Sequence, residues 1–189
     1  MSTLVLGLGN LVMSDDSAGV RVVQRLAERC SFPRGVTLVD GGTLGLDLLP
    51  KLEGVRRLLV VDAVETGGSP GTVVRLAGED IPFALETKVS PHQMGLKDLL
   101  SVASLQGFDP EEMVLWGVQP AQVEMGLELS PEVEAQLPLL EEMVLHELQR
   151  WGVRVGSSAQ PDLQQSSFTA EDAEGRREGR AGTVCTKCP

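Results

Sequence analysis

Short apolar segments rich in β-branched residues alternate with helix-like segments, and this alternation restricts the fold more than any other feature of the sequence. The apolar segments are TLVLGLG (3–9), VTLVDGG (36–42), RRLLVVDAV (56–64), GTVVRL (71–76) and MVLWGVQ (113–119). Several are nearly continuous in apolar residues, which is typical of strands covered on both faces. We therefore predict an α/β fold with three layers, in which a twisted, mainly parallel five-stranded sheet lies between helices.

Two of the helix-like segments carry apolar stripes at helical spacing. Val20, Val23, Ala27 and Cys30 form the first stripe, which predicts that the Cys30 thiol packs in the core. The second stripe consists of Val133, Leu137, Leu140, Val144, Leu148 and Trp151. Ser130 is the predicted N-cap of that helix and Pro131 its first residue. Pro138 falls inside it and is expected to kink it.

Length and charge restrict the class of protein. The 189 residues fit one domain with a tail, and the net charge of −11 argues against binding to nucleic acid or to an anionic membrane. No segment is long and apolar enough for a transmembrane helix, and MSTLVLGLGN lacks the basic start of a signal peptide. Three cysteines do not form a disulfide framework, so we expect a cytoplasmic protein.

The composition changes near residue 155. We assign 1–155 to the folded domain and predict that 156–189 is a flexible, low-complexity tail, because it is poor in large apolar residues. The tail ends in Cys185-Thr186-Lys187-Cys188-Pro189. A single C-x-x-C binds soft metals in some proteins but is a weak signal by itself.

Reactive side chains follow several of the predicted strands. Asp15 and Asp16 follow the first, Asp40 ends the second and Asp62 ends the third. His92 precedes the next helix. Since ligands of open α/β sheets bind beyond the carboxyl ends of the strands, we expect these side chains to lie at one edge.

His92 lies in SPHQ (90–93), whose residues fit the N-cap and first three positions of a helix with a capping box. The positive end of the helix dipole disfavours an imidazolium there, and a neutral imidazole binds metals or acts as a base. Asp16, Asp62 and His92 make a nitrogen and oxygen ligand set. Such a set suits zinc, nickel, manganese or iron better than magnesium or calcium.

Each of the three residues also has a structural interpretation. Asp16 fits a helix cap, Asp62 fits a turn residue, and a histidine is more often structural than catalytic. The second histidine, His146, lies off the apolar stripe of its helix and is expected to be solvated. The residues alone leave the metal site and the structural roles open.

The first loop also begins like a phosphate-binding turn, with GLG (7–9) after a strand. The dinucleotide fingerprint needs a third glycine at position 12, where Val12 stands, and the loop continues into the anionic pair Asp15 and Asp16. A nucleotide-binding α/β protein is therefore the less favoured alternative.

Five segments resemble the nickel–iron hydrogenase maturation endopeptidases in order and spacing. They are GLGNLVMSDDSAG, DGGTLGLDLLP, VVDAV, SPHQMGLKDLL and LWGVQP, and the resemblance covers residues 3–153. It implies a peptidase that removes the C-terminal extension of a hydrogenase large-subunit precursor once the nickel–iron centre is assembled. It also implies that Asp16, Asp62 and His92 bind a metal.

The resemblance bears on two further segments. The ligand in the first loop is glutamate in many members of the family, so Asp16 is assigned with Asp15 as the alternative. Asp40, Gly41, Gly42 and Thr43 are similar to the family's substrate-recognition segment, where the two glycines permit close backbone approach or a positive φ. The alternative for this segment is an ordinary turn from strand to helix capped by Thr43.

Two mechanisms fit these residues. In one, a metal of the enzyme activates water; in the other, which we favour, Asp16, Asp62 and His92 grip nickel supplied by the substrate, for which zinc or another divalent ion is a surrogate. The carboxylates then position a water as general base. A non-enzymatic chaperone for nickel and the precursor is the alternative function.

We expect the protein to act as a monomer on the precursor. Because the resemblance implies substrates with C-x-x-C near their C-terminus, the pair Cys185 and Cys188 could mimic substrate, although a functionless tail is favoured. The ligands are expected to be exposed at the strand ends, so that Asp62→Asn and His92→Ala abolish function at little cost in stability.

Overall fold

Five of the apolar segments pair into one sheet in the computed structural model, which describes residues 2–78, 80–81 and 91–158 and, of 91–95, only the backbone. The strands of this sheet are β1 (Thr3–Leu8), β3 (Val36–Gly42), β4 (Arg57–Ala63), β5 (Val73–Ala77) and β6 (Glu112–Val118). Their order across the sheet is β3-β1-β4-β6-β5. All neighbours are parallel except β5, which runs antiparallel to β6. The predicted fold class is confirmed.

Helices cover both faces of the sheet. They are α1 (Ala18–Arg29), α2 (Leu49–Leu52), α3 (Pro91–Leu105), α4 (Pro131–Glu134) and α5 (Leu137–Arg150). One core cluster joins the sheet to α2 and α3, and includes Leu58, Leu99 and Leu115. The other joins it to α1 and α5, and includes Val22 and Leu140. All six residues of β1 are buried, which explains the continuous apolar sequence of this central strand.

The predicted stripe on α1 is partly wrong. Val20 and Val23 are buried as expected, but Leu26 takes the next core position and Ala27 is exposed. Helix α1 ends at Arg29, so Cys30 does not continue its stripe. Instead Cys30 begins β2 (Cys30–Ser31), which pairs antiparallel with β7 (Gly156–Ser157).

The second predicted helix is divided in two. Ser130 caps α4 as expected, with its side chain accepting a hydrogen bond from the Val133 amide. The helical pattern then breaks at 135–136, and Pro138 lies in the first turn of α5. Proline is favoured at that position because its missing N–H would have no helical partner there. Pro138 therefore starts a helix, and the predicted kink inside one helix is wrong.

The start of the predicted tail takes part in the fold. Gly156 and Ser157 belong to β7, and the Ser158 amide donates to the Arg29 carbonyl over 2.9 Å. Residues 159–189, including Cys185 and Cys188, lie outside the described residues. Within the described part of the chain, no helix is long and apolar enough to cross a bilayer.

Candidate active site

Two of the three predicted ligands meet at the carboxyl ends of adjacent strands. Asp62 is the second-last residue of β4, and Asp16 lies in a 3-10 turn, Ser14–Ser17, that follows β1 and packs against β4. Asp16 is 2% exposed and Asp62 is 0% exposed. The expectation of exposed ligands is therefore wrong for Asp16 and Asp62. The helices and loops close over this edge of the sheet, so the carboxylates lie in a low-dielectric position.

Glycines make this tight arrangement possible. Gly9 has a φ of +127°, and a Cβ on it would lie 1.8 Å from the Asp16 carbonyl oxygen. A Cβ on Gly19 would lie 2.1 Å from the Val61 carbonyl oxygen, so α1 begins in direct backbone contact with β4. One carboxylate oxygen of Asp16 accepts a hydrogen bond from the Asn10 amide over 2.8 Å. The loop thus closes on the carboxylate and fixes its orientation.

The neighbouring Asp15 has a different environment. It is fully buried, and its carboxylate accepts hydrogen bonds from the amides of Ala121, Gln122 and Ser130 over 2.9, 3.0 and 2.6 Å. The Ser130 hydroxyl donates a fourth over 2.8 Å. A carboxylate with this many donors is a structural anion that ties two loops together. This geometry favours Asp16 over Asp15 as the ligand, and Asp16 as a ligand stays a prediction.

The loop after β6 is joined to the loop after β1 by a second set of contacts. The Ser14 amide donates to the Gly126 carbonyl over 2.8 Å, and the Ser14 hydroxyl contacts the Glu124 amide and carbonyl, each over 3.1 Å. Ser14 has a φ of +41°, which is uncommon for a residue other than glycine. Sequence reasoning missed Ser14, since no local pattern marks a contact across more than a hundred residues.

Gln119 organises the segment that follows Asp62. Its side-chain oxygen accepts from the amide and hydroxyl of Thr66 over 2.7 and 2.9 Å, and its side-chain nitrogen donates to Glu65 over 2.8 Å. Gln119 is buried. Its place at the end of β6, within the segment LWGVQP, is the signal that would have identified it.

His92 lies only partly within the described residues. Helix α3 begins at Pro91, so the backbone of His92 is in the first turn, as predicted. Its side chain lies outside the described residues, as does Ser90. Among the side chains that the structure describes, no three of histidine, cysteine, aspartate and glutamate converge as metal ligands. The complete set of Asp16, Asp62 and His92 therefore stays a prediction.

The segment from Asp40 to Thr43 ends β3 at the same edge of the sheet. Gly42 has a φ of +45°, and a Cβ on Gly41 would lie 2.6 Å from a methyl carbon of Leu6. The exposed Asp40 carboxylate accepts from the Gly42 amide over 3.1 Å. The next turn has Leu44 and not Thr43 at its N-cap, so capping by Thr43 is wrong. Substrate recognition by this segment stays a prediction.

The remaining candidates for chemistry lie elsewhere. Cys30 is half-buried beside the core, and burial, with the nearby Glu141 carboxylate, raises the pKa of its thiol. A raised pKa disfavours the nucleophilic thiolate. His146 is exposed on α5, as expected.

The sequence is similar to those of known hydrogenase maturation proteases. A family model described as hydrogenase maturation protease matches residues 20–147. The chain is 40% identical over 154 residues to the hydrogenase 2 maturation protease of Escherichia coli, covering 81% of this chain and 94% of that protein. It is 41% identical over 186 residues to the hydrogenase expression/formation protein HupD of Rhodobacter capsulatus, covering 96% of this chain and 88% of the relative.

Solved structures share the fold. The hydrogenase maturating endopeptidase HybD from Escherichia coli superposes with a TM-score of 0.80 at 38% identity, over 84% of this chain and 98% of that one. The [NiFe] hydrogenase maturation protease HybD from Thermococcus kodakarensis has a TM-score of 0.66 at 31% identity, over 78% of this chain and 99% of that one. The chain therefore belongs to the hydrogenase maturation protease family, and it is a peptidase.

Proposed function

We propose that this peptidase removes the C-terminal extension of a nickel–iron hydrogenase large-subunit precursor after nickel insertion, and that Asp16, Asp62 and His92 contact the substrate's nickel. One observation carries the proposal. Two carboxylates, Asp16 and Asp62, are buried at the carboxyl ends of adjacent strands. Carboxyl oxygens at neighbouring strand ends are ligands that one divalent cation could share.

The chemistry of the donors supports nickel as that cation. Two carboxylates and one imidazole form a nitrogen and oxygen set that suits borderline divalent metals, and zinc or a similar ion would serve as a surrogate. The Thermococcus kodakarensis relative is named for [NiFe] hydrogenase. If the nickel arrives already held by the precursor, the peptidase would recognise only a precursor that has received its metal.

The residues of this chain would then supply orientation and base catalysis. The Asn10 amide fixes one oxygen of Asp16, and the contacts of Gln119 hold the segment after Asp62. A carboxylate held in this way positions a water and takes its proton as it attacks the peptide carbonyl. The alternative is a metal of the enzyme, which would lower the pKa of a bound water to about 7.

A processing assay tests the proposal. Precursor from a strain lacking this protein, matured with or without nickel, is mixed with wild type, His92→Ala or His146→Ala, and shortening is followed by gel shift. We expect shortening of nickel-loaded precursor by wild type and by the His146→Ala control, and none by His92→Ala. Shortening without nickel would instead place the metal's role in the enzyme. Normal shortening by His92→Ala would overturn the ligand assignment.

We further propose that the reaction takes place in the cytoplasm and that the peptidase acts as a monomer. The cysteine content supports the first point. The net charge of −11 supports the second, because like charges disfavour self-association.

A further inference from the structure

A groove lies beside the candidate active site, between the turn that carries Asp16 and the loop after β6, residues 119–130. Its volume is about 420 Å³. The lining residues are Ser14, Gln122, Glu124, Met125, Gly126, Leu127 and Glu128. Ser14 belongs to the same 3-10 turn as Asp16. The groove therefore borders the turn that carries Asp16.

Large apolar side chains are exposed along this groove. Met125 is 89% exposed and Leu127 is 66% exposed. Leu11 and Val12, in the loop after β1, are also exposed, and the Gly126 amide donates to the Val12 carbonyl over 3.0 Å. Both loops thus carry exposed apolar side chains and are joined by a backbone hydrogen bond. A cluster of exposed apolar side chains with a polar rim marks a site for another protein.

The wall of the groove is held in place before any partner binds. The Asp15 carboxylate anchors the amides of Ala121 and Gln122, and the Ser14 hydroxyl anchors the amide of Glu124. The guanidinium of Arg21 donates to the Leu127 carbonyl. Because the wall is already ordered, less conformational entropy is lost when a partner binds.

The rim of the groove is anionic. Glu124 and Glu128 are exposed among the lining residues, which include no lysine or arginine. Asp40, near the end of β3, adds a third exposed carboxylate at the carboxyl end of the sheet. Such a field attracts a partner with basic side chains and repels a second copy of this acidic chain.

We propose that this groove docks an apolar segment of the hydrogenase large-subunit precursor that is flanked by basic side chains and lies away from the cleaved bond. The inference rests on the proposed function and adds to it a second contact with the substrate. Docking at a distance from the reacting atoms uses binding energy to place the peptide beside Asp16.

The test is steady-state cleavage of nickel-loaded precursor by the full chain carrying Met125→Ser and Leu127→Ser. The control is Leu105→Ser, because Leu105 is 87% exposed and ends α3, away from the carboxyl ends of the strands. We expect KM to rise at least about tenfold for the double variant, with kcat within about twofold of wild type. The control leaves both constants unchanged. An unchanged KM for the double variant would overturn the docking groove.

A second pair of variants tests the rim. Glu124→Gln with Glu128→Gln should lower kcat/KM several-fold at low salt and reduce its dependence on ionic strength. Glu53→Gln with Glu142→Gln, which are exposed elsewhere, is the matched control. Equal salt dependence for the two pairs would overturn the basic character of the docked segment.

Other outcomes distinguish the failures. If wild type cuts no precursor, the proposed function is contradicted. If the Met125→Ser and Leu127→Ser double variant cuts as well as wild type, only the docking groove is contradicted. A dimer of wild type that the double variant abolishes in sedimentation would assign the groove to a second copy. A lower KM after removal of residues 159–189 would assign it to the chain's own C-terminal segment.

Discussion

The two ends of the sheet are built differently. At the amino end, cations and anions pair with one another: Arg57 contacts Glu112 over 3.0 Å and lies 5.7 Å from the ring centroid of Trp151. At the carboxyl end, Asp15 and Asp16 are buried, with backbone amides as hydrogen-bond donors, and apolar side chains such as Met125 are exposed.

This difference separates an end whose charges are already paired from an end that could accept a ligand. Charges paired with one another at a surface leave little capacity for a ligand. Carboxylates held by fixed amides keep their orientation, and exposed apolar side chains near them offer a surface for a protein substrate. Substitutions at the two ends of the sheet test this separation.

Asp62→Asn should remove activity without unfolding the protein. The substitution keeps the shape of the side chain but removes the charge, so we expect kcat/KM to fall by at least about 100-fold. The melting temperature should change little, because the asparagine side chain has nearly the same size and keeps an acceptor oxygen. Cleavage assays and thermal melts measure the two effects, with Asp47→Asn, exposed near the same edge, as the control. A protein that unfolds on this change would make Asp62 structural.

Asp15→Ala should lower the free energy of unfolding by more than Asp16→Ala does. Removing Asp15 leaves the amides of Ala121, Gln122 and Ser130 without their acceptor, which we expect to cost about 3 kcal/mol or more of the free energy of unfolding. Asp16→Ala releases the Asn10 amide and should cost about 1 kcal/mol while removing activity. Urea denaturation measures both, and equal losses would contradict the division of roles.

Glu147→Gln should destabilise the protein in a pH-dependent way. Burial raises the pKa of the Glu147 carboxyl, but the hydrogen bond and charge of Arg75, with the charges of Arg150 and His146, outweigh burial and hold this pKa below its ordinary value. Arg75 and Arg150 each contact it over 3.0 Å. We expect a loss of about 1–2 kcal/mol near pH 7, because the two arginines are partly exposed.

The sign of the pH dependence follows from the lowered pKa. Such a carboxyl stabilises the folded state above its unfolded pKa of about 4.3, and this contribution disappears as the pH falls through the lower folded pKa. The difference between wild type and Glu147→Gln should therefore shrink in acid. Unfolding by urea across this range measures it, with the exposed Glu142→Gln as control. A constant difference would contradict the ion pairs as its cause.

Arg56→Ala should have the smallest effect. Arg56 contacts Glu111 over 2.6 Å, but both side chains are exposed, and water and salt screen such a pair. We expect a melting temperature indistinguishable from wild type at physiological salt. A clear loss at that salt concentration would show that pairing at the amino end contributes more than an exposed ion pair.

Local patterns were sufficient for the five strands of the main sheet, but they did not indicate β2 and β7. The central strands β1 and β4 were predictable because strands buried on both faces need continuous apolar sequence. The placement of Asp16 and Asp62 at the same end of the sheet was predictable because the carboxyl ends of parallel strands lie together. The division between α4 and α5 could not be predicted, because the apolar stripe continues across 135–136. Pro138 is compatible with either a kink or the start of a new helix.

Periodicity and residue type were enough to predict the α/β class, the mainly parallel sheet and the acidic character of the first loop. The different environments of the two adjacent aspartates became visible only in the folded chain. The donors to Asp15 lie 106 to 115 residues away along the chain, and local patterns carry no information about such contacts. The groove also depends on contacts between distant segments, because its walls form only where the sheet brings the loops after β1 and β6 together.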